Sequence, residues 1–434
     1  LIEFNECLFY HSAFFIFSED FQMVDRVNET FAGWDGTFLD VSSKMAEPFC
    51  FAYHQLRYRL VAPLDPQKFE NCNTHIKEVA VRALIALSIV FAVFLCAIVP
   101  IPMLCAVTVL ALGSRLFRVL GFALQKEGYT PVRSQTAEKQ LTQQNSTIKV
   151  ATWNICGAGG GMSLDHGGVI DWRSRVKGIV DTIRKEDPDV LLLQEIYDEE
   201  LGRALVKKLA DKYVYFYTNL GPNNMGSVGG CMVASKYATH KFSHISFENN
   251  KWTLNRGFAT LEIKADAKAD APCARIICTH LIHGDDEISK KNRIEQIQQI
   301  AAKIFGWNAQ HDVPTILAGD LNIEQKDIKA IELDVEKDGV LSKEPFCDYF
   351  DHVNECKTPT CTSKLATQWT LKPGEEETID YILSFRKDKE TEPVVYDEFH
   401  YIKAHDGSGN TKTALSDHHG LVVNFKAKIS SPAA

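Results

Sequence analysis

Polar residues stand at or beside the ends of several short apolar runs: Asn154, Glu195, His280, Asp320 with Asn322, Asp380, and Asp417 with His418. Taken singly, each has an ordinary structural reading, because a carboxylate or amide after a strand commonly caps a turn or a helix. Taken together they arrive at the ends of separate strands, where open α/β sheets place their ligand sites. Carboxylates and amides without a CxxC pair or paired imidazoles form a hard oxygen-donor set, suited to Mg²⁺ rather than Zn²⁺. A histidine among carboxylates adds a group that takes a proton from water near neutral pH.

The elements needed to position these residues are legible from Ile148 onward, where short apolar runs alternate with amphipathic stretches in an α/β texture. Strands are expected at 148–155, 190–193, 231–234, 259–263, 275–279, 315–318, 379–384 and 421–425. Helices are expected at 172–185, with Val176, Ile179, Val180 and Ile183 on one face, at 201–209, and at 290–304. The run Gly157, Gly159, Gly160, Gly161 reads as a tight turn. His419 follows His418 into a strand and is expected to point the opposite way. His283 and Asp285 read as loop residues close enough to modulate His280.

Six strings carry more information than the residue types: KVATWNICG (149–157), DVLLLQEI (189–196), CTHLIHGDD (278–286), LAGDLNI (317–323), TIDYILS (378–384) and LSDHHGLVV (415–423). In this order they resemble the endonuclease/exonuclease/phosphatase superfamily over roughly residues 148–426. The resemblance implies a four-layered α/β sandwich, two packed mixed sheets flanked by helices, and metal-assisted hydrolysis of phosphate esters by a domain at 148–434. It implies Glu195 as the main ligand of Mg²⁺, with Mn²⁺ as the alternative, Asn154 beside it and Asp417 close to the metal. It implies Asp320 and His418 as the water-activating pair, Asn322 as a phosphate or water positioner, and His280 as a donor to phosphate oxygens. Asp380 would orient the catalytic imidazole.

Within the superfamily, THLIHGDDEISKKNRIEQIQQI (279–300), and GGCMVASKYA (229–238) followed by NRGFATLEI (255–263), are similar to the neutral sphingomyelinase branch. A membrane phospholipid is therefore the expected substrate, with a nuclease of the same superfamily as the rival and a catalytically silent membrane adaptor as a third reading. GDLNIEQ lacks the basic residue that follows in the inositol phosphatase branch, and TIDYILS replaces its Cys-Asp-Arg string.

The whole chain has 434 residues, 45% hydrophobic and 24% charged, with a formal net charge of −9. Residues 148–434 hold 35 Lys and Arg against 42 Asp and Glu. That balance disfavours a general polyanion binder, which needs clustered basic residues. Residues 1–76 are rich in aromatics without periodicity, and no chemistry is assigned to them. No charged-then-apolar leader is evident at the end that begins with Leu1. Residues 83–99 carry no charge, and after Pro100-Ile101-Pro102 the run 103–112 is again uncharged. One straight helix of that length would exceed the ~30 Å hydrocarbon core and would contain two prolines. A membrane hairpin over 77–124 is therefore expected, turning at Pro100–Pro102, its second arm continuing past Arg115 and Arg118; a single tilted span is the rival. Basic residues on both flanks (Lys77, Arg82; Arg115, Arg118, Lys126) are what a hairpin with both ends in the cytoplasm would show, and the catalytic domain is expected on that side. Residues 125–147 read as a polar linker. The twelve cysteines show no zinc spacing, though Cys347, Cys356 and Cys361 are close enough in sequence for one disulfide.

Overall fold

The computed structural model describes residues 101–124, 127–142, 145–157, 169, 172–222, 228–249, 255–308, 313–337, 340–352, 358–362, 376–387, 396–404 and 414–429. The aromatic segment 1–76 and the first arm of the expected hairpin, 83–99, lie outside them.

In chain order, α1 (Ile101–Leu124) leads to β1 (Thr130–Arg133), β2 (Thr147–Asn154), α2 (Trp172–Glu186), β3 (Val190–Gln194) and α3 (Glu199–Leu209). Then come β4 (Tyr215–Thr218), β5 (Met232–Ser235), β6 (Thr239–Ser246), β7 (Gly257–Lys264), β8 (Pro272–His280), α4 (Glu287–Asn308) and β9 (Thr315–Asp320). The rest comprises α5 (Gln325–Ile328), a hairpin of β10 (Glu332–Lys337) and β11 (Val340–Pro345), β12 (Phe350–His352), β13 (Cys361–Thr362), β14 (Glu376–Glu377), β15 (Asp380–Phe385), β16 (Tyr396–Ile402) and β17 (Gly420–Lys426).

Two mixed sheets result, in the orders β1-β4-β5-β3-β2-β17-β16 and β12-β15-β9-β8-β7-β6. The twofold alternation of strands explains how they stack. In β2, Ile148 and Val150 face the interior between the sheets, where they meet Ile276 and Cys278 of β8 and Ile316 and Ala318 of β9. The alternate residues Ala151 and Trp153 face outward and are covered by Val176, Ile179 and Ile183 of α2 and by Leu201, Leu205 and Leu209 of α3. On the other side Ile277 and Leu317 pack against Ile297, Ile300 and Ile304 of α4. The order helix, sheet, sheet, helix is the four-layered sandwich expected from the resemblance.

One expectation is corrected. The stretch 125–147 is not a free linker. Thr130–Arg133 pairs antiparallel with β4 as an edge strand, Tyr129 and Leu141 enter the core, and Lys139 Nζ bonds Asp189 Oδ1 at 2.7 Å. The second hairpin arm forms one helix, α1, yet among the described residues no helix is long and apolar enough to cross a membrane. Cys347 and Cys361 are free thiols, and Cys356 lies outside the described residues.

Candidate active site

Register brings the site together. β8 and β9 run parallel with His280 opposite Asp320, and β15 runs antiparallel to β9 with Asp380 opposite the same Asp320. Three neighbouring strands thus bring three chemical residues to one end of the second sheet. In the first sheet β2 and β3 are parallel with Asn154 opposite Gln194, so Glu195 follows one residue beyond Asn154's row. Gly319 makes the β8–β9 contact possible: its φ is +144°, and a Cβ there would overlap the Thr279 carbonyl.

Asn154 joins the two sheets. Its Nδ2 donates to Glu195 Oε1 at 3.1 Å and to Asp320 Oδ2 at 3.0 Å, while its Oδ1 accepts from the Cys156 N–H at 3.0 Å. In this arrangement Asn154 presents its amide nitrogen to the two carboxylates and braces them. Glu195, Cys156 and Asn322 all hold left-handed backbone, with φ of 65°, 49° and 52°. Such conformations are unfavourable for residues with a Cβ and concentrate at functional sites. Asn322 donates its backbone N–H to Asp320 Oδ1 and its Nδ2 to the Leu281 carbonyl, which closes the β9 turn onto the loop after His280.

His418 Nδ1 lies 2.8 Å from Asp380 Oδ2. Ser416 holds the segment before it, donating its hydroxyl to the Asn154 carbonyl at 2.7 Å and accepting the His418 N–H at 3.1 Å. Trp153 Nε1 donates to the His418 carbonyl at 2.9 Å. His419 turns away as expected, its Nδ1 accepting from the Ala404 N–H. Asp320, Asp380 and His418 converge, with one potential ligand atom from each within 4.8 Å of the others, and all three are buried. Asp417 is also buried, its Oδ1 3.2 Å from the Ser416 hydroxyl oxygen.

Burial, and then the charge of Asp417, push the Glu195 carboxyl above the usual carboxylate range. Burial and then Asp380 push Asp320 up to about 7, against the pull of His418 and the Asn154 bond. Burial disfavours the imidazolium of His418, but Cys361, Asp380 and Asp417 around it hold its pKa well above the ordinary value. His280 goes the other way: burial, then Arg256, His283 and His418, keep it well below the ordinary value and neutral. Too many carboxylates share one buried pocket, and a hard divalent cation relieves that repulsion. The residues that each offer one ligand atom within 4.8 Å of the others are Asp320, Asp380 and His418, while Glu195 reaches Asp320 through the Asn154 amide.

Three site residues carry no recognisable pattern in the sequence. Tyr197, two residues after Glu195, has its hydroxyl 3.5 Å from His280 Nδ1. Arg256 Nη2 donates to that hydroxyl at 3.0 Å, and Nη1 donates to the Leu281 carbonyl. Thr360 accepts the N–H groups of Ile379 and Asp380 on its hydroxyl, both at 3.1 Å, and so fixes the start of β15.

A model of the Endonuclease/Exonuclease/phosphatase family matches residues 151–418. The chain belongs to that family, whose members are phosphodiester hydrolases. It is 24% identical over 210 residues to Sphingomyelinase C 2 of Leptospira interrogans, a match covering 44% of this chain and 33% of that protein. It is 25% identical over 200 residues to a 5'-tyrosyl-DNA phosphodiesterase of Caenorhabditis briggsae, covering 45% and 48%. The chain thus matches between a third and a half of the length of these relatives. Among solved structures it is similar to D. rerio TDP2 complexed with single-strand DNA product (TM-score 0.47, 20% identity, 65% of this chain and 99% of that one). It is also similar to a Staphylococcus aureus beta toxin mutant with bound magnesium ions (TM-score 0.45, 18% identity, 64% and 98%).

Proposed function

We propose that this protein is a Mg²⁺-dependent phosphodiesterase that hydrolyses the headgroup ester of a membrane phospholipid, in the manner of a sphingomyelinase. The convergence of Asp320, Asp380 and His418 supports the hydrolytic part. Asp380 on Nδ1 leaves Nε2 of His418 as the atom that would take the proton of the attacking water once a cation beside Asp417 offsets the charges that raise its pKa, and the Asp380 carboxylate supports the imidazolium that results. Asp320 and Asn322 position that water. His280 donates from Nε2 to a phosphate oxygen as charge builds there. Glu195, Asp320 and Asp417 would hold the divalent cation, which when bound neutralises the phosphate oxygens and stabilises the departing one.

The lipid part is supported by the loop after His280. Asp285 and Asp286 are exposed there, ahead of Glu287, which opens α4 and pairs with Lys290 at 2.9 Å. An acidic rim repels a polyphosphate strand and accepts a headgroup that carries a positive charge. The partial match to Sphingomyelinase C 2 points the same way, whereas the similar match to a tyrosyl-DNA phosphodiesterase sustains a nuclease as the second reading. Helix α1 exposes Val109, Leu112, Leu116 and Leu120 at helical spacing, which supports attachment to a lipid surface.

The test is turnover by the purified full chain of sphingomyelin vesicles and, separately, of DNA bearing a 5'-phosphotyrosyl end or an abasic site, each with Mg²⁺, with Mn²⁺ and with chelator. Metal-dependent release of phosphocholine is expected. Cleavage of DNA without cleavage of lipid would transfer the assignment to the nuclease, and turnover of neither would favour a silent adaptor.

A further inference from the structure

Tyr197 has no role in the hydrolytic scheme above, yet its hydroxyl sits between two of the site's nitrogen groups. Arg256 has donors only, so the 3.0 Å contact from Nη2 must be accepted by the Tyr197 oxygen. The single hydroxyl proton of Tyr197 is then free to point at His280 Nδ1, 3.5 Å away. With Nδ1 as acceptor, a neutral His280 carries its proton on Nε2, and Nε2 is the atom that faces Asp320 Oδ2 at 3.5 Å. The polarity of the chain is therefore set from one end, by a guanidinium that cannot accept.

A second observation fixes the ring. Gly230, with φ of +84°, lies against the Tyr197 ring, and a Cβ at that position would overlap its edge carbons. Gly230 also accepts the Ile196 N–H on its carbonyl at 2.7 Å, tying the Glu195–Tyr197 turn to the start of β5. The backbone that places Tyr197 is thus the left-handed turn that places Glu195.

We infer that Tyr197, oriented by Arg256, is a positioning residue that locks His280 in the tautomer with its proton on Nε2, so that the ring donates toward the phosphate. The inference rests on the phosphodiesterase reading only for what His280 donates to; the tautomer itself is a property of the protein alone.

The experiment has two arms on the full chain. In the first, ¹⁵N-histidine NMR without substrate or metal reads the tautomer of His280, assigned by its loss in His280→Gln. Wild type is expected to show the Nε2–H form, and Tyr197→Phe, which keeps the ring but lacks the hydroxyl, a mixture of both. In the second, Tyr197→Phe is expected to lower kcat by at least ~10-fold on both sphingomyelin and bis(p-nitrophenyl) phosphate, with KM within about 2-fold. In the His280→Gln background the same substitution is expected to change kcat by less than about 2-fold, because the residue it acts through is gone. Gly230→Ala, which displaces the ring, should reproduce the loss, with unchanged circular dichroism for all variants. An Nδ1–H tautomer in wild type, or full additivity of Tyr197→Phe with His280→Gln, would overturn the inference. Failure on lipid with success on the chromogenic diester would overturn the substrate instead.

Discussion

The Nδ1 atom of His418 lies 2.8 Å from Oδ2 of Asp380, and both side chains are buried. The pair is built across two sheets: Asp380 opens β15 of one, and His418 stands just before β17 of the other. A carboxylate in that place fixes the imidazole's tautomer and supports its charge once it takes a proton. Asp380→Asn keeps the shape but presents an amide, so kcat should fall by at least ~10²-fold with little change in KM. Steady-state kinetics on a soluble diester checks this, and a variant with full activity would remove Asp380 from the mechanism.

Burial and the charge of Asp417 raise the Glu195 carboxyl, and a bound cation would relieve both. Glu195→Gln should raise the Mg²⁺ concentration needed for half-maximal activity by at least ~10-fold, the scale on which lost ligands and their partners act. Asn154→Ala, which removes the brace to Glu195 and Asp320, should shift the same metal titration in the same direction. Unchanged titrations would place the metal elsewhere.

The edge strand β1 gives a stability prediction. Tyr129 packs edge-on against Phe242 at 4.7 Å and Tyr217 at 5.7 Å between ring centroids, and its hydroxyl donates to the Phe242 carbonyl. Tyr129→Ala should cost about 2–4 kcal/mol in denaturant unfolding, as for other aromatic truncations in a core. A change below about 0.5 kcal/mol, the size usual at exposed positions, would return this stretch to the status of a linker.

His244, away from the reacting groups, gives a pH dependence. Its ring lies beside Gly221 and Gly257, where a Cβ would overlap it, and burial lowers its pKa to about 4 from an ordinary 6.5. The unfolded chain therefore binds the proton more readily between those values, and this contribution to stability is full above pH 6.5 and lost as pH falls toward 4. Thermal unfolding of His244→Gln against wild type should show the difference in slope over that window. Parallel curves would show that His244 is not held neutral.

How far the sequence foretold this arrangement depended on what each residue needed. Asp320, Asp380, His418 and Glu195 were legible because each sits in a string whose apolar part must be a strand and whose polar end must lie at that strand's tip. The core helices were legible from their 3.6-residue period, as with Val176, Ile179, Val180 and Ile183. β1 was not, because Thr-Pro-Val-Arg is short and polar and carries a proline that only an edge strand tolerates. β6 was missed for a related reason: Thr239–Ser246 is an edge strand with exposed lysine and histidine, and lacks a continuous apolar face. Tyr197 and Arg256 were invisible because their relation to His280 depends on the left-handed turn at Glu195 and on β7 pairing with β8, neither of which a local pattern encodes. The amide orientation of Asn154 likewise follows from Cys156, whose backbone N–H takes the oxygen.

The most direct measurement is phosphocholine release from sphingomyelin vesicles by wild type and by His418→Ala, in saturating Mg²⁺ and after chelation. Metal-dependent release by wild type, reduced at least ~10²-fold in His418→Ala, is the expected result. Release that survives chelation, or that His418→Ala leaves intact, would contradict it.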